Sequence, residues 1–462
     1  MGIYGLRGRV SEKVLRGIRT GKYATFRRRR AVGWYLCFAL VVGLLPGALT
    51  SKATGSAKVG GIPIARPAIC SSKSAASTCV VPAAVAQKKL VKCAGTRKKS
   101  KSCVAAALKA AKKKAAKKKA AAKKTLKSST SAKLKSLPDG LGPAQIRGAY
   151  NLPSAAPRAQ TIAIVTAFDD PNAESDLGVY SRTYSLPSCT SANGCFSKVN
   201  GLGQARPLPP ADATWALETS LDIQSAYAVC SNCKILLVEA ASASVLDLLD
   251  AVDSAVALGA NEVSNSWVVD EFSSQTILDS HLDHPGVVIT AASGDTASRV
   301  QWPASSPFVT AVGGTTLTVL GNVRVSESAW QLGGSGCSRY ESKPAWQTDS
   351  GCSRRMVPDV AAVGDPSTGA AVYDSYGYSG RHGWFKTGGT SFGAPIIAAI
   401  YALAGNADQV VAGSYPYAHS SSLFDVRSGA NGSNCSPSYL CTAGTGYDGP
   451  TGVGSPDGTA GF

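Results

Sequence analysis

The residues best suited to covalent chemistry lie in Thr387-Gly388-Gly389-Thr390-Ser391-Phe392-Gly393-Ala394-Pro395, which runs into an apolar stretch ending at Gly405. Two glycines allow a tight turn and clear space around the hydroxyls that follow. Pro395, read as part of a first helical turn, and Gly405 at the far end bracket a helix, and the apolar residues between them predict that it is buried. Ser391 then falls at a helix start, where free N–H groups and the positive dipole end can serve a nucleophile or simply a helix cap. A nucleophile additionally needs a base and an oxyanion partner.

Two other places offer acids. Glu218 and Asp222 are four apart in a helical pattern over 214–229, on a stripe adjacent to Leu217, Leu221 and Ala228. Such a pair repels, so a solvated face is the plain alternative. Asp295 follows Ser293-Gly294 directly after a strand pattern, where it could equally be a turn former accepting backbone hydrogen bonds. Histidine is scarce, with four in the chain. His281 and His284 fall near a helix end, with a spacing that could suit a metal but favours a surface role. His382 lies in a Gly/Tyr-rich hairpin-like stretch and His419 in a Ser-rich loop. None occupies a motif suited to a serine's catalytic partner. If Ser391 is a nucleophile, its base is a carboxylate.

These residues must be positioned by strands and helices. Thr161–Ala167 is a continuous β-branched run that predicts a buried parallel strand. Lys234–Val238, Glu262–Ser266, Val287–Ala291 and Val309–Val312 are further candidates, and helical patterns at 214–229 and 244–258 separate several of them. A short leading helix is expected within Leu141–Pro153. This alternation predicts an α/β fold: a parallel sheet flanked by helices, with chemistry at the carboxyl ends of the strands.

Charge divides the chain. Residues 1–136 hold 33 Lys/Arg and one acid, Glu12, whereas the remainder carries a net charge of −13. Arg27–Arg30 precede the apolar run Ala31–Leu45, which Pro46 ends. Small residues follow, and Gly55-Ser56-Ala57 offers a cleavage site, so residues 1–57 read as an export signal rather than a retained span. Residues 58–136 are Ala/Lys/Ser-rich and lack an apolar stripe, which predicts a solvated tether. That tether is either a spacer or a binder of anionic envelope polymers or nucleic acid. Residues 137–462 have the composition of a folded domain. Setting aside Cys37, twelve cysteines fall into sequence neighbours: Cys70/Cys79, Cys93/Cys103, Cys189/Cys195, Cys230/Cys233, Cys337/Cys352 and Cys435/Cys441. In an exported chain these suggest short-loop disulfides, with connectivity left open. Cys230/Cys233 could alternatively be half a zinc site or a redox pair, but no second close pair of suitable form accompanies it.

Glu218-Thr219-Ser220-Leu221-Asp222, Ser293-Gly294-Asp295 and Gly389-Thr390-Ser391-Phe392-Gly393-Ala394-Pro395 resemble, in order, the motifs of the sedolisins, serine-carboxyl peptidases of subtilisin-like fold. The resemblance covers about 137–462 and implies that Ser391 is the nucleophile and Glu218 its general base and acid. It further implies that Asp222 orients and proton-couples Glu218 and that Asp295 donates to the oxyanion. It implies one structural Ca2+, held by Asp425, Asp448 and the carbonyls of Val426, Gly444 and Gly446; oxygen ligands and close-approaching glycines suit a hard cation. Ser264-Asn265-Ser266-Trp267 resembles the substrate-edge strand, with Val268 in place of a glycine. Gly388 stands where the family commonly has serine. The family's large folded propeptide has no counterpart beyond the Lys/Ala segment, so propeptide-controlled activation is not expected.

The resulting expectation is a secreted, monomeric peptidase that hydrolyses polypeptides through an acyl-enzyme. An ordinary carboxylate, with a pKa of about 4, is a weak base at neutral pH, so action in acid is expected. The alternative from another class is a catalytically silent, envelope-bound module tethered by its polybasic segment.

Overall fold

The computed structural model describes residues 58–59, 62–67, 81–82 and 137–462. The export signal, most of the polybasic segment, Cys37, Cys70/Cys79 and Cys93/Cys103 lie outside these residues. No described helix is long and apolar enough to cross a membrane.

The elements that place the acids and the serine are as follows. After a two-residue strand β1 (Arg66–Pro67) come α1 (Pro143–Ala149), β2 (Thr161–Ala167), α2 (Ala173–Tyr184), β3 (Phe196–Asn200) and α3 (Ala213–Val229). There follow β4 (Lys234–Ala240), α4 (Val245–Ala257), β5 (Glu262–Asn265), β6 (Trp267–Asp270), β7 (Val288–Ala292), β8 (Gln301–Trp302), β9 (Thr310–Leu320) and β10 (Val323–Ala329). The last that matter here are β11 (Val360–Val363), the hairpin strands β12 (Ala370–Tyr378) and β13 (Arg381–Thr387), and α5 (Thr390–Ala404).

One sheet runs β10-β9-β7-β5-β2-β4-β3, with β11 also pairing β9. All its pairings are parallel except β9 with β10. The fold is therefore the expected subtilisin-like α/β sheet flanked by helices. Its strands alternate between two apolar layers. Ile162, Ile164, Ile235 and Leu237 face a core shared with α1, α2, α3 and α5, whereas Ala163, Val165, Leu236 and Val238 face the core under α4. Burial on both faces is why these strands read as continuous apolar runs.

Cysteine neighbours pair as suggested: Cys189–Cys195, Cys230–Cys233, Cys337–Cys352 and Cys435–Cys441 are disulfides. Cys230/Cys233 is thus neither free nor half a zinc site. One expectation fails locally. Residues 62–67, assigned by composition to a solvated tether, lie against the folded domain: β1 pairs antiparallel with β6, and Ala65 is buried.

Candidate active site

α5 begins where the sequence placed it because Gly389, its N-cap, has φ 119°, a conformation that L side chains rarely adopt. Gly388 is just as constrained. A Cβ there would come 2.5 Å from the Gly364 carbonyl oxygen, so this backbone requires the glycine rather than the serine common in the resembled motif. Thr390–Leu403 is buried throughout, and Gly405 closes the helix in the left-handed region.

Pro395 lies inside the helix, beyond its first turn. Lacking an N–H, it cannot bond the carbonyl four residues earlier, which belongs to Ser391. Ser266 supplies the missing donor: its Oγ donates to Ser391 O at 3.4 Å, and Ser391 Oγ donates to Ser266 O at the same distance. The first turn of α5 is thereby tied to the link between β5 and β6.

Glu218 and Asp222 occupy successive turns of α3, which starts at the Asp212 cap and packs against α5. The solvated-face alternative does not hold, because Trp215–Val229 is buried throughout and both acids are fully inaccessible. Neither carboxylate completes a well-formed hydrogen bond. Burial raises the pKa of Glu218 well above its ordinary value, Asp222 raises it further, the nearby Ser391 hydroxyl opposes the rise, and Asp295 adds to it. Burial likewise raises Asp222, opposed by the Ser266 hydroxyl. A buried acid pair without a cation is favoured to hold a shared proton, and it titrates as a pair.

Asp295 follows β7, the sheet neighbour of β5. Its Oδ1 accepts from Thr390 N at 2.8 Å and from Thr390 Oγ1 at 2.9 Å, while Gly294 N donates to Thr390 Oγ1 at 3.0 Å. Asp295 therefore accepts from the backbone, as its simpler reading required, and it does so at the residue preceding Ser391. The structure gathers Ser391, Glu218, Asp222 and Asp295 at one place. In the sequence, Ser266 and Thr390 stand only as members of the substrate-edge and Ser391 motifs, because their contacts with Ser391 and Asp295 come from across the fold.

The histidines are engaged elsewhere. His281 Nδ1 pairs with Asp253 at 2.6 Å and His284 Nε2 with the same carboxylate at 3.3 Å. His382 Nδ1 meets Ser375 O, and His419 Nδ1 meets Tyr415 O.

The two C-terminal carboxylates, Asp425 and Asp448, lie close enough to influence each other. Gly446 N donates to Asp425, and Gly444 N donates to Asp448 Oδ2. Asp448 is fully buried, and its pKa is pushed up to about 6 mainly by burial, with Asp425 adding to the rise. Arg427 Nε meets Asp425 Oδ2 at 2.7 Å. Two neighbouring carboxylates on a glycine loop, one shut off from water, fit a hard cation. A cavity of about 920 Å³ borders this loop at Asp425, Arg427, Gly446 and Tyr447, away from Ser391.

Residues 215–413 match the Subtilase family model. Sedolisin of Pseudomonas sp. (strain 101) is 40% identical over 178 residues, covering 34% of this chain and 29% of that protein. Kumamolisin of Bacillus sp. (strain MN-32) is 31% identical over 203 residues, covering 37% of this chain and 35% of that protein. The chain thus spans well under half the length of these curated relatives. Among solved structures, Pseudomonas sedolisin, a serine-carboxyl proteinase complexed with two molecules of pseudo-iodotyrostatin, matches with a TM-score of 0.59 and 28% identity, covering 69% of this chain and 95% of that one. The chain is thus similar to the subtilase family over residues 215–413, and the curated proteins it resembles are sedolisins.

Proposed function

We propose that the chain is a serine-carboxyl peptidase acting on polypeptides. The observation that carries this reading is the burial of the Glu218–Asp222 pair beside Ser391, with every histidine engaged elsewhere. Ser391 Oγ attacks the scissile carbonyl while Glu218 takes its proton, then returns that proton to the leaving amine. Asp222 orients Glu218 and shares its proton. Asp295, when protonated, donates to the oxyanion beside the N-terminus of α5. Water then hydrolyses the acyl-enzyme by the reverse proton route.

The raised pKa values make Glu218 a stronger base than an ordinary carboxylate, available once the pair has lost one of its protons. Full deprotonation of the acids removes the donors, so activity is confined to a bell-shaped pH band whose position is set by the coupled acids. One calcium ion, held by Asp425, Asp448 and the carbonyls of Val426, Gly444 and Gly446, would neutralise the two carboxylates and fasten their loop. Export of the chain, 137–462 as the peptidase domain, and anionic partners for the polybasic segment belong to the same proposal; the disulfides support an oxidising compartment.

The test is hydrolysis of denatured protein across pH ~3–8 by the full chain, Ser391→Ala and Glu218→Gln. Each substitution is expected to cost about 10³-fold or more in kcat with the fold intact. Equal rates in all three would defeat the mechanism.

A further inference from the structure

Thr390 directly precedes the proposed nucleophile and bonds the acid proposed for the oxyanion, Asp295, which lies 95 residues earlier. Its hydroxyl is held in one orientation. A threonine hydroxyl has one hydrogen to give and lone pairs with which to accept, whereas a backbone N–H can only donate. Gly294 N donates to Thr390 Oγ1 at 3.0 Å, so the hydroxyl accepts on that side. Its single hydrogen is then given to Asp295 Oδ1, at 2.9 Å. The alignment is built into the backbone. Gly294 has φ 99°, and its carbonyl is fixed in turn by Gly334 N at 2.6 Å.

These contacts decide how a neutral Asp295 carries its proton. A protonated carboxyl has one hydroxyl oxygen and one carbonyl oxygen. Oδ1 accepts from the Thr390 hydroxyl and also from Thr390 N, at 2.8 Å. A proton on Oδ1 would displace one of these donors. Thr390 and Asp295 are buried, so the displaced donor would be left unpaired. That cost favours the proton on Oδ2 by about tenfold or more.

We propose that Thr390 is a positioning residue for the oxyanion: its hydroxyl, aligned by Gly294, keeps the proton of Asp295 on Oδ2, the oxygen that serves the reacting carbonyl. The proposal rests on the peptidase reading and divides the work of two neighbouring residues. Ser391 attacks and passes its proton to Glu218. The carbonyl electron pair moves onto its oxygen, which the Oδ2 hydrogen meets without being transferred. Thr390 touches neither substrate nor the reacting atoms, and acts through Asp295.

The test uses the full chain and a quenched fluorescent peptide that it cuts, with kcat and KM read separately. Thr390→Val keeps the backbone N–H and loses the hydroxyl. It should lower kcat by about tenfold while KM stays within about twofold. Thr390→Ser, which keeps the hydroxyl, should stay within about twofold of the native kcat. Thr390→Ala takes the place of the valine variant if that chain melts below the assay temperature. In an Asp295→Ala background, the same loss of the hydroxyl should change kcat by less than about twofold, because nothing remains for it to orient. A purely structural role would act equally in both backgrounds. An unchanged kcat without the hydroxyl, an equal loss in both backgrounds, or a loss that serine shares would each overturn the proposal. Failure of the native chain to cut any peptide or denatured protein would show instead that the peptidase reading had failed, and this role with it.

Discussion

Asp170 gives the sharpest quantitative test of how this domain handles buried acids. It is fully inaccessible, and its pKa is raised from 3.8 to about 7, first by burial and then by Asp374 and Asp176; the Asn172 N–H and Lys198 oppose the rise. Because the folded value exceeds the unfolded one, the folded chain holds this proton from about pH 3.8 to 7. Stability is therefore lost as pH climbs through that window, and the cost is complete above it. A rise of about three units at 1.36 kcal/mol each gives an upper bound of about 4 kcal/mol. Asp170→Asn removes this cost, and its Oδ1 can still accept the Asn172 N–H, made at 2.9 Å in the native chain. At pH 7.5 the variant should melt higher by up to about 8 °C, taking about 2 °C per kcal/mol for a domain of this size, and by about 0 °C at pH 3.5. Differential scanning fluorimetry at the two pH values reads the difference. An equal shift at both, or a lower Tm for the variant at pH 7.5, would refute the reasoning. Every carboxyl with a resolved shift moves upward, including Glu239 to about 9 and Glu341 to about 8. Each of these groups therefore adds to the stability of the fold as pH falls through its raised value.

Two further outcomes test other parts of the structure. Arg355 is fully buried and grips both oxygens of Asp359 at 2.6 Å, so Arg355→Ala should cost about 3–5 kcal/mol by leaving that carboxylate unpaired. A loss of under about 1 kcal/mol in urea titration, the size expected for a surface pair, would contradict this. Adding a chelator should lower Tm by about 5 °C if calcium at 100 times its Kd contributes about 2.7 kcal/mol, with recovery on adding calcium but not magnesium. An unchanged Tm would remove the ion from the account.

The sequence by itself determined a good deal. Apolar runs long enough to be buried on both faces revealed the parallel sheet, and glycines flanking an apolar stretch revealed α5. Scarcity of histidine beside Glu218, Asp222 and Ser391 pointed to carboxylate chemistry before any geometry was known. Adjacent cysteines indicated the local disulfides. What the tertiary structure decided was set by groups distant in sequence. Whether Glu218 and Asp222 formed a solvated stripe or a buried pair depended on α5 and the sheet closing over α3. Pro395 read as a first-turn residue, yet its place inside the helix frees the Ser391 carbonyl for Ser266, more than 120 residues earlier. Residues 62–67 looked like part of a tether because composition averages over lysines, whereas docking depends on Ala65 fitting one seat and on the unpaired edge of β6. Local pattern sets which elements form and what chemistry they can carry. Burial, and therefore proton affinity and access to the nucleophile, is set only when those elements pack.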